Sequence, residues 1–174
     1  LAVMGQNLIL NMDDHGFRVV AHNRSQDRVS EFLAGPAKDT GIVGASSLEE
    51  LVARLNRPRK VLLMVRAGEP VDSLIEQLLP LLQAGDVLID GGNSNYTDTN
   101  RRVETLRRHG IHYIGAGISG GEEGARFGPS IMPGGAIEGW PLVQPVFEAI
   151  AAKSDSGKPC CSWIGPEGSG HFVK

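Results

Sequence analysis

Apolar and polar positions along this chain recur in two periods, one helical and one strand-like. Leu8, Ile9 and Met12 stand at helical spacing, and Gly16 follows as a C-terminal cap. Phe17 to Ala21 is a short apolar run with two valines, which predicts a strand. Asn23-Arg24-Ser25 is turn chemistry. Val29, Phe32 and Leu33 then mark a second helix, closed by Gly35-Pro36. Ile42 and Val43 predict a short strand. Ser47 with Glu50 fits a capping box for the helix that follows. Lys60 to Val65 is apolar without alternation, which predicts a fully buried strand of a parallel sheet.

Pro70 suits a first helical turn. Val71, Leu74, Ile75, Leu78, Leu79 and Leu82 form an apolar stripe behind it, and Pro80 must kink or restart that helix. Gly85-Asp86 turns the chain into a strand from Val87 to Asp90. Asp98 to Arg108 predicts a polar helix with few core contacts. His112 to Ile114 predicts another strand, whereas the glycine-rich stretch from Gly115 to Gly135 predicts neither helix nor strand. Trp140, Val143, Phe147 and Ile150 mark one more helix. Trp163 and Ile164 suit a last short strand, and Gly168-Ser169-Gly170 a turn opening a helix.

Strands alternating with helices at short spacing mean βαβ units, hence an α/β fold with a doubly wound parallel sheet and right-handed crossovers. Ligands in such sheets bind beyond the carboxyl ends of the strands. Four segments lie there: Leu1 to Gly5, Asn23 to Ser25, Val65 to Gly68, and Gly91 to Ser94.

The 174 residues suggest one domain, or one domain with a short extension. A net charge of −3 argues against nucleic acid or an anionic membrane surface as the main partner. The longest apolar runs are far too short to cross a bilayer, and no signal peptide is visible. Cys160 and Cys161 are adjacent, a poor geometry for bridging, which points to a reducing compartment. No metal-ligand spacing occurs among the histidines and cysteines. Both ends lack the loose polar composition usual for natural termini, so the chain is expected to be a fragment of a longer protein.

A dinucleotide fold needs a small-residue turn at the start of its first helix, where the backbone meets the pyrophosphate. Leu1-Ala2-Val3-Met4-Gly5 offers the end of such a turn, with Ala2 in a middle glycine position and Gly5 in the last. A helix preceded by small residues gives the same string. The second test lies near the end of the next strand, where an acid would favour NAD. Here Asn23-Arg24-Ser25 carries no acid, and a guanidinium suits a 2′-phosphate, so NADP is the expected cofactor. Asp90-Gly91-Gly92-Asn93-Ser94 lets a ligand approach closely and gives Asn93 as donor and acceptor, although an ordinary turn reads alike. The long loop with Ser119-Gly120-Gly121 is functional or disordered by its length. Lys174, on the first turn of a helix, becomes a base if desolvated and is otherwise a surface lysine.

Together these strings resemble the 6-phosphogluconate dehydrogenase family. The matching segments are Leu1 to Asn7, Asn23-Arg24-Ser25, Asp90 to Ser94, Ser119 to Gly135, and Gly168 to Lys174. The resemblance implies a Rossmann-like, doubly wound, mostly parallel sheet spanning residues 1–174, with its first strand missing from this chain and a helical domain beyond Lys174. It implies NADP-dependent oxidation of 6-phosphogluconate and decarboxylation to ribulose 5-phosphate, in the cytoplasmic pentose phosphate pathway, by a homodimer. Lys174 matches the family lysine that takes the proton from the C3 hydroxyl. Asn93, Ser119, Gly120 and Gly121 match substrate positions, with Asn93 also near the nicotinamide. Arg24 and Ser25 match the pair that holds the 2′-phosphate, beside Asn23. Ala2, Val3, Met4 and Gly5 match the fingerprint turn, and Val65, Arg66 and Ala67 the cofactor loop after the fourth strand. Ser25 stands where animal members carry Thr, Arg66 replaces a usual Lys, and Asn95 sits where Glu is common. The family's His-Asn pair and its acid would lie beyond Lys174.

Two other readings compete. A 3-hydroxyacid dehydrogenase of the same superfamily shares the Ser-Gly-Gly loop and the lysine, but Arg24 and the run Glu122 to Arg126 favour the phosphogluconate enzyme. A non-catalytic NADP-binding module needs none of Asn93, Ser119 and Lys174.

Overall fold

A computed structural model describes residues 1–174. Its strands fall into two sheets. Strand β1 (Val20–His22) pairs in parallel with β2 (Val43–Ala45), and the two stand as a separate ribbon. The larger sheet runs in sequence order through β3 (Lys60–Leu63), β4 (Val87–Asp90), β5 (His112–Ser119), β6 (Ser130–Gly135) and β7 (Gly165–Pro166). All its pairings are parallel except β5 with β6, which is antiparallel. Leu63 pairs with Asp90, and Asp90 with Gly115, so the chain leaves β3 and β4 at one level.

Alternation along the central strands sends side chains to two cores. Val87, Ile89, Ile114, Ala116 and Ile118 pack on one face with Leu8 of α1 (Val3–Asp14) and with Val143, Phe147 and Ile150 of α7 (Trp140–Ile150). Leu88 and Tyr113 point to the other face, against Val71, Ile75 and Leu78 of α4 (Glu69–Leu78) and Leu106 of α5 (Tyr96–Arg107). The helices α2 (Gln26–Ala34) and α3 (Leu48–Arg54) flank the ribbon.

The elements form for local reasons that the chain advertises. Ser47 caps α3 by accepting from the Glu50 amide at 3.1 Å. The return half of the capping box falls one residue early, because Glu50 accepts from the Ser46 amide at 2.7 Å. Pro80 ends α4, and the chain continues as a 3-10 turn over Leu79–Leu81. The strand expected at Phe17 to Ala21 forms later, at Val20–His22, and that expected at Trp163 forms at Gly165–Pro166.

Three expectations fail. First, Gly115 to Gly135 is regular structure: the end of β5, then α6 (Gly121–Phe127), then β6. The glycines of β5 are there because α8 (Ser169–Val173) lies directly on the strand. A Cβ at Gly115 would come within 2.8 Å of His171 Nδ1, and one at Gly117 within 2.7 Å of Lys174 Cβ. Second, α5 is well anchored in the interior: Thr99 and Leu106 are fully buried and Arg102 is 2% exposed. Third, β3 is not buried along both faces. Lys60 is exposed and Leu62 half-buried, because β3 and β1 share no hydrogen bonds and a cleft of about 1640 Å³ lies between the two sheets.

Candidate active site

Two turns and one helix end converge at the carboxyl ends of β3 and β4. The turn after β4 carries Gly91, Gly92 and Asn93. A Cβ at Gly91 would approach Met64 Sδ to 2.7 Å, and one at Gly92 the Val65 carbonyl oxygen to 2.9 Å. Bare backbone is therefore what lets this turn lie against the segment leaving β3. Opposite stands Lys174, just past α8, whose Nζ donates to Asn93 Oδ1 at 2.5 Å. The pocket between them holds about 330 Å³. It is lined by Met4, Val65, Arg66, Ala67, Asn93 and Lys174, all singled out from the sequence, and by Met64, Gly91, Gly92 and Ile118. Desolvation lowers the Lys174 pKa from the ordinary lysine value. That is the direction a general base requires.

Behind the turn lies a buried ionic cluster that the polar pattern of α5 concealed. Asp90 is fully buried. Its Oδ2 accepts from Ser94 Oγ at 2.6 Å and from the Tyr113 hydroxyl at 3.0 Å, and its Oδ1 accepts from the Gly92 amide at 3.0 Å. Arg102 donates to Ser94 Oγ at 3.2 Å, to the Gly68 carbonyl at 3.0 Å and through two nitrogens to Asp72. The Arg102 guanidinium, joined by Arg101, holds the Asp72 carboxyl at a pKa of about 2. One arginine thus ties the Asn93 turn to the loop from Val65 to Gly68 and to the start of α4. Asp90, Thr99, Arg102 and Tyr113 were missed as site-building residues. Only the aspartate ending a buried strand signals them in the sequence.

The second half of the site is the rim at the carboxyl ends of β1 and β3, where Leu1, Ala2, Gly5, Asn23 and Arg24 come together with Val65 and Arg66. Val65 and Arg66 line both spaces, so the cleft and the smaller pocket adjoin. Ala2 is the N-cap of α1, with no side-chain cap and no acid in the first turn. The first amides of this twelve-residue helix are therefore free for an anion. Asn23 Oδ1 accepts from the Leu1 nitrogen, and Asn23 Nδ2 donates to the Ser25 carbonyl at 3.1 Å. Arg24 is exposed, and its guanidinium has neither a hydrogen-bond acceptor nor a carboxylate partner. Uncapped amides and an unpaired arginine are a donor set that fits a phosphorylated dinucleotide.

The remaining sequence-derived candidates lie outside both spaces. Val3 is 47% exposed on the outer side of α1. Ser25 caps α2 by position, without a side-chain bond. Ser119 ends β5 on the face of Gly117, the face that meets Lys174. Gly120 and Gly121 turn the chain into α6 at φ 138° and 64°, values that exclude most side chains. Asn7 and Asn11 fasten α1 to this corner by donating to the Glu122 carbonyl at 2.8 Å and the Ala125 carbonyl at 3.2 Å.

Comparison with known proteins is consistent with this geometry. The chain is 67% identical over its full length to the decarboxylating 6-phosphogluconate dehydrogenase of Haemophilus influenzae and 60% identical to that of Mus musculus. It spans 36% of the length of each. Among solved structures, a Plasmodium falciparum 6-phosphogluconate dehydrogenase, described with its cofactor NADP+ and its substrate 6-phosphogluconate, superposes with a TM-score of 0.93 at 39% identity. That match covers 99% of this chain and 37% of that one. A Mycobacterium tuberculosis 3-hydroxyisobutyrate dehydrogenase superposes at 0.82 with 25% identity, covering 99% of this chain and 55% of that one. The family model for the NAD binding domain of 6-phosphogluconate dehydrogenase matches residues 1–165, and the chain belongs to that family.

Proposed function

We propose that residues 1–174 form the Rossmann-like NADP-binding domain of an enzyme that oxidises and decarboxylates 6-phosphogluconate to ribulose 5-phosphate and CO2. The observation that carries this reading is the Lys174–Asn93 contact at the mouth of a pocket walled by Met4 and the Val65 to Ala67 loop. NADP, when bound, supplies the hydride acceptor. The chain's own groups bind the cofactor and remove the C3 hydroxyl proton. The α1 amides after Ala2 face the pyrophosphate. Arg24 and Ser25 take the 2′-phosphate, with Asn23 shaping the turn. Lys174, whose pKa desolvation lowers, takes the C3 hydroxyl proton in its neutral form while Asn93 fixes the position of its amine. Ser119, Gly120 and Gly121, which the resemblance assigns to the substrate, follow the β5 face that meets Lys174. The homodimer, the cytoplasmic location and the place in the pentose phosphate pathway are what the family resemblance implies and belong to this proposal. No helix is long and apolar enough to cross a membrane.

Lys174→Met tests the assignment, since it removes the amine and keeps a stem of similar length. In a full-length enzyme carrying this chain, turnover falls by at least ~10²-fold, the scale of general-base catalysis, with NADP affinity retained. Turnover and a pH–rate profile equal to the parent's would remove Lys174 from the mechanism.

A further inference from the structure

We propose that His171 and Thr99 are a positioning pair that sets where Lys174 stands, an inference that rests on the base assignment above. His171 lies three residues before Lys174, on the same side of α8. It is 8% exposed. Its Nε2 stands 3.1 Å from the Asp90 carbonyl oxygen, which can only accept, so Nε2 carries the proton. In the neutral ring Nδ1 then accepts from Thr99 Oγ1 at 2.7 Å, a shorter contact than the 3.3 Å from that hydroxyl to the Asn95 carbonyl. One neutral ring therefore joins three elements: the helix that carries Lys174, the end of β4 just before Asn93, and the middle of α5.

The surrounding packing gives the ring one place to sit. A Cβ at Gly115 would come within 2.8 Å of His171 Nδ1 and 2.7 Å of Thr99 Cγ2, so imidazole and threonine both rest on bare strand backbone. Burial lowers the His171 pKa; the facing Asp90 carboxylate opposes this, while the Arg102 and Lys174 cations act with it. Burial favours the neutral imidazole, the form in which Nδ1 accepts from Thr99. A merely space-filling residue at this position would not require an acceptor aimed at one nitrogen and a donor aimed at the other.

The test uses the full-length enzyme with Thr99→Val, His171→Leu and His171→Gln, beside Lys174→Met. Thr99→Val keeps the volume and removes the hydroxyl. His171→Gln keeps a donor that reaches the Asp90 carbonyl. Loss of the anchor lowers kcat on the order of 10-fold to 100-fold in Thr99→Val and His171→Leu, because misplacing a reacting group by a fraction of an ångström carries that cost. KM for NADP stays at the parent value, and His171→Gln recovers most of kcat. The acid limb of kcat/KM moves to higher pH, since a loosened lysine is rehydrated and regains its proton more readily. Parent-like kcat and pH limb in Thr99→Val overturn the positioning role, even where His171→Leu fails to fold. So do losses that follow melting temperature and are not recovered by His171→Gln. If Lys174→Met itself keeps its turnover, the base assignment falls and this proposal with it; if Lys174→Met is inactive while Thr99→Val and His171→Gln match the parent, only the positioning role falls.

Discussion

Arg24 illustrates how much one unpaired side chain decides at the residue scale. It is exposed, has no carboxylate beside it, and lines the cleft at the end of β1. In the full-length enzyme, Arg24→Ala is expected to weaken NADPH by about 1.5–3 kcal/mol, the range for a hydrogen bond to a charged group, and to leave NADH nearly unchanged. A fluorescence titration with both cofactors separates the two, and equal losses would sink the 2′-phosphate assignment. Asp72 makes the opposite case, a carboxylate whose work is structural. It receives two bonds from Arg102 and two from Arg101. Its folded pKa, about 2, lies below the unfolded value, so its contribution to stability is present above about pH 4 and is lost as pH falls toward the folded pKa. Asp72→Asn should cost about 1.5–3 kcal/mol at neutral pH, and the gap to the parent in urea melts should narrow on acidification. A gap that stays constant down to pH 3 would contradict that account.

At the scale of elements, the contact between α8 and the β5–β6 pair decides whether a site exists. Gly170 sits against the backbone carbonyls of Gly115 and Met132, which cannot step aside. Gly117 meets Lys174 Cβ at 2.7 Å and the Gly170 carbonyl oxygen at 3.0 Å, less severe contacts that are relieved by shifting the segment that carries Lys174. Gly170→Ala is therefore expected to cost about 1–3 kcal/mol of stability, the usual range for overpacking, and Gly117→Ala less. Gly117→Ala should instead lower turnover by displacing Lys174. Thermal melts and steady-state rates on the two variants check the split, and a larger stability loss in Gly117→Ala would reverse the assignment. These glycines also explain why the stretch from Gly115 to Gly135 defeated sequence reading. Glycine in a strand pattern signals a loop unless the element packed on top is known. α5 misled for the mirror reason. Arg102 looks like any solvated charge on a polar helix until Asp72, Asp90 and Ser94 arrive from other segments.

Considered as one molecule, the chain has a weak seam. β1 and β3 each hydrogen-bond on one side only and face each other across the cleft. Unpaired parallel edges invite association between copies. Expressed by itself, the 174-residue chain is expected to associate through these edges as its concentration rises. Hydrogen exchange should find the β1 and β3 amides on the cleft side poorly protected and those of β4 strongly protected; a monodisperse monomer at high concentration would show the seam to be harmless. The sequence by itself determined the alternation of strand and helix, the capped start of α3, the break at Pro80, and the small set of turns that can meet a dinucleotide. Each follows from local chemistry: apolar period, side-chain caps, and the torsion limits of Gly and Pro. It also singled out Met4, Val65 to Ala67, Asn93 and Lys174, which the fold gathers around one pocket. Only the tertiary structure decided that the glycine stretch is β5, α6 and β6, that β3 borders a cleft, and that Asp90, Thr99, Arg102 and His171 stand behind the pocket. Those outcomes depend on which backbone a helix touches and which charges burial forces to pair, and a contact such as that of His171 with Asp90, 81 positions apart, leaves no local signature.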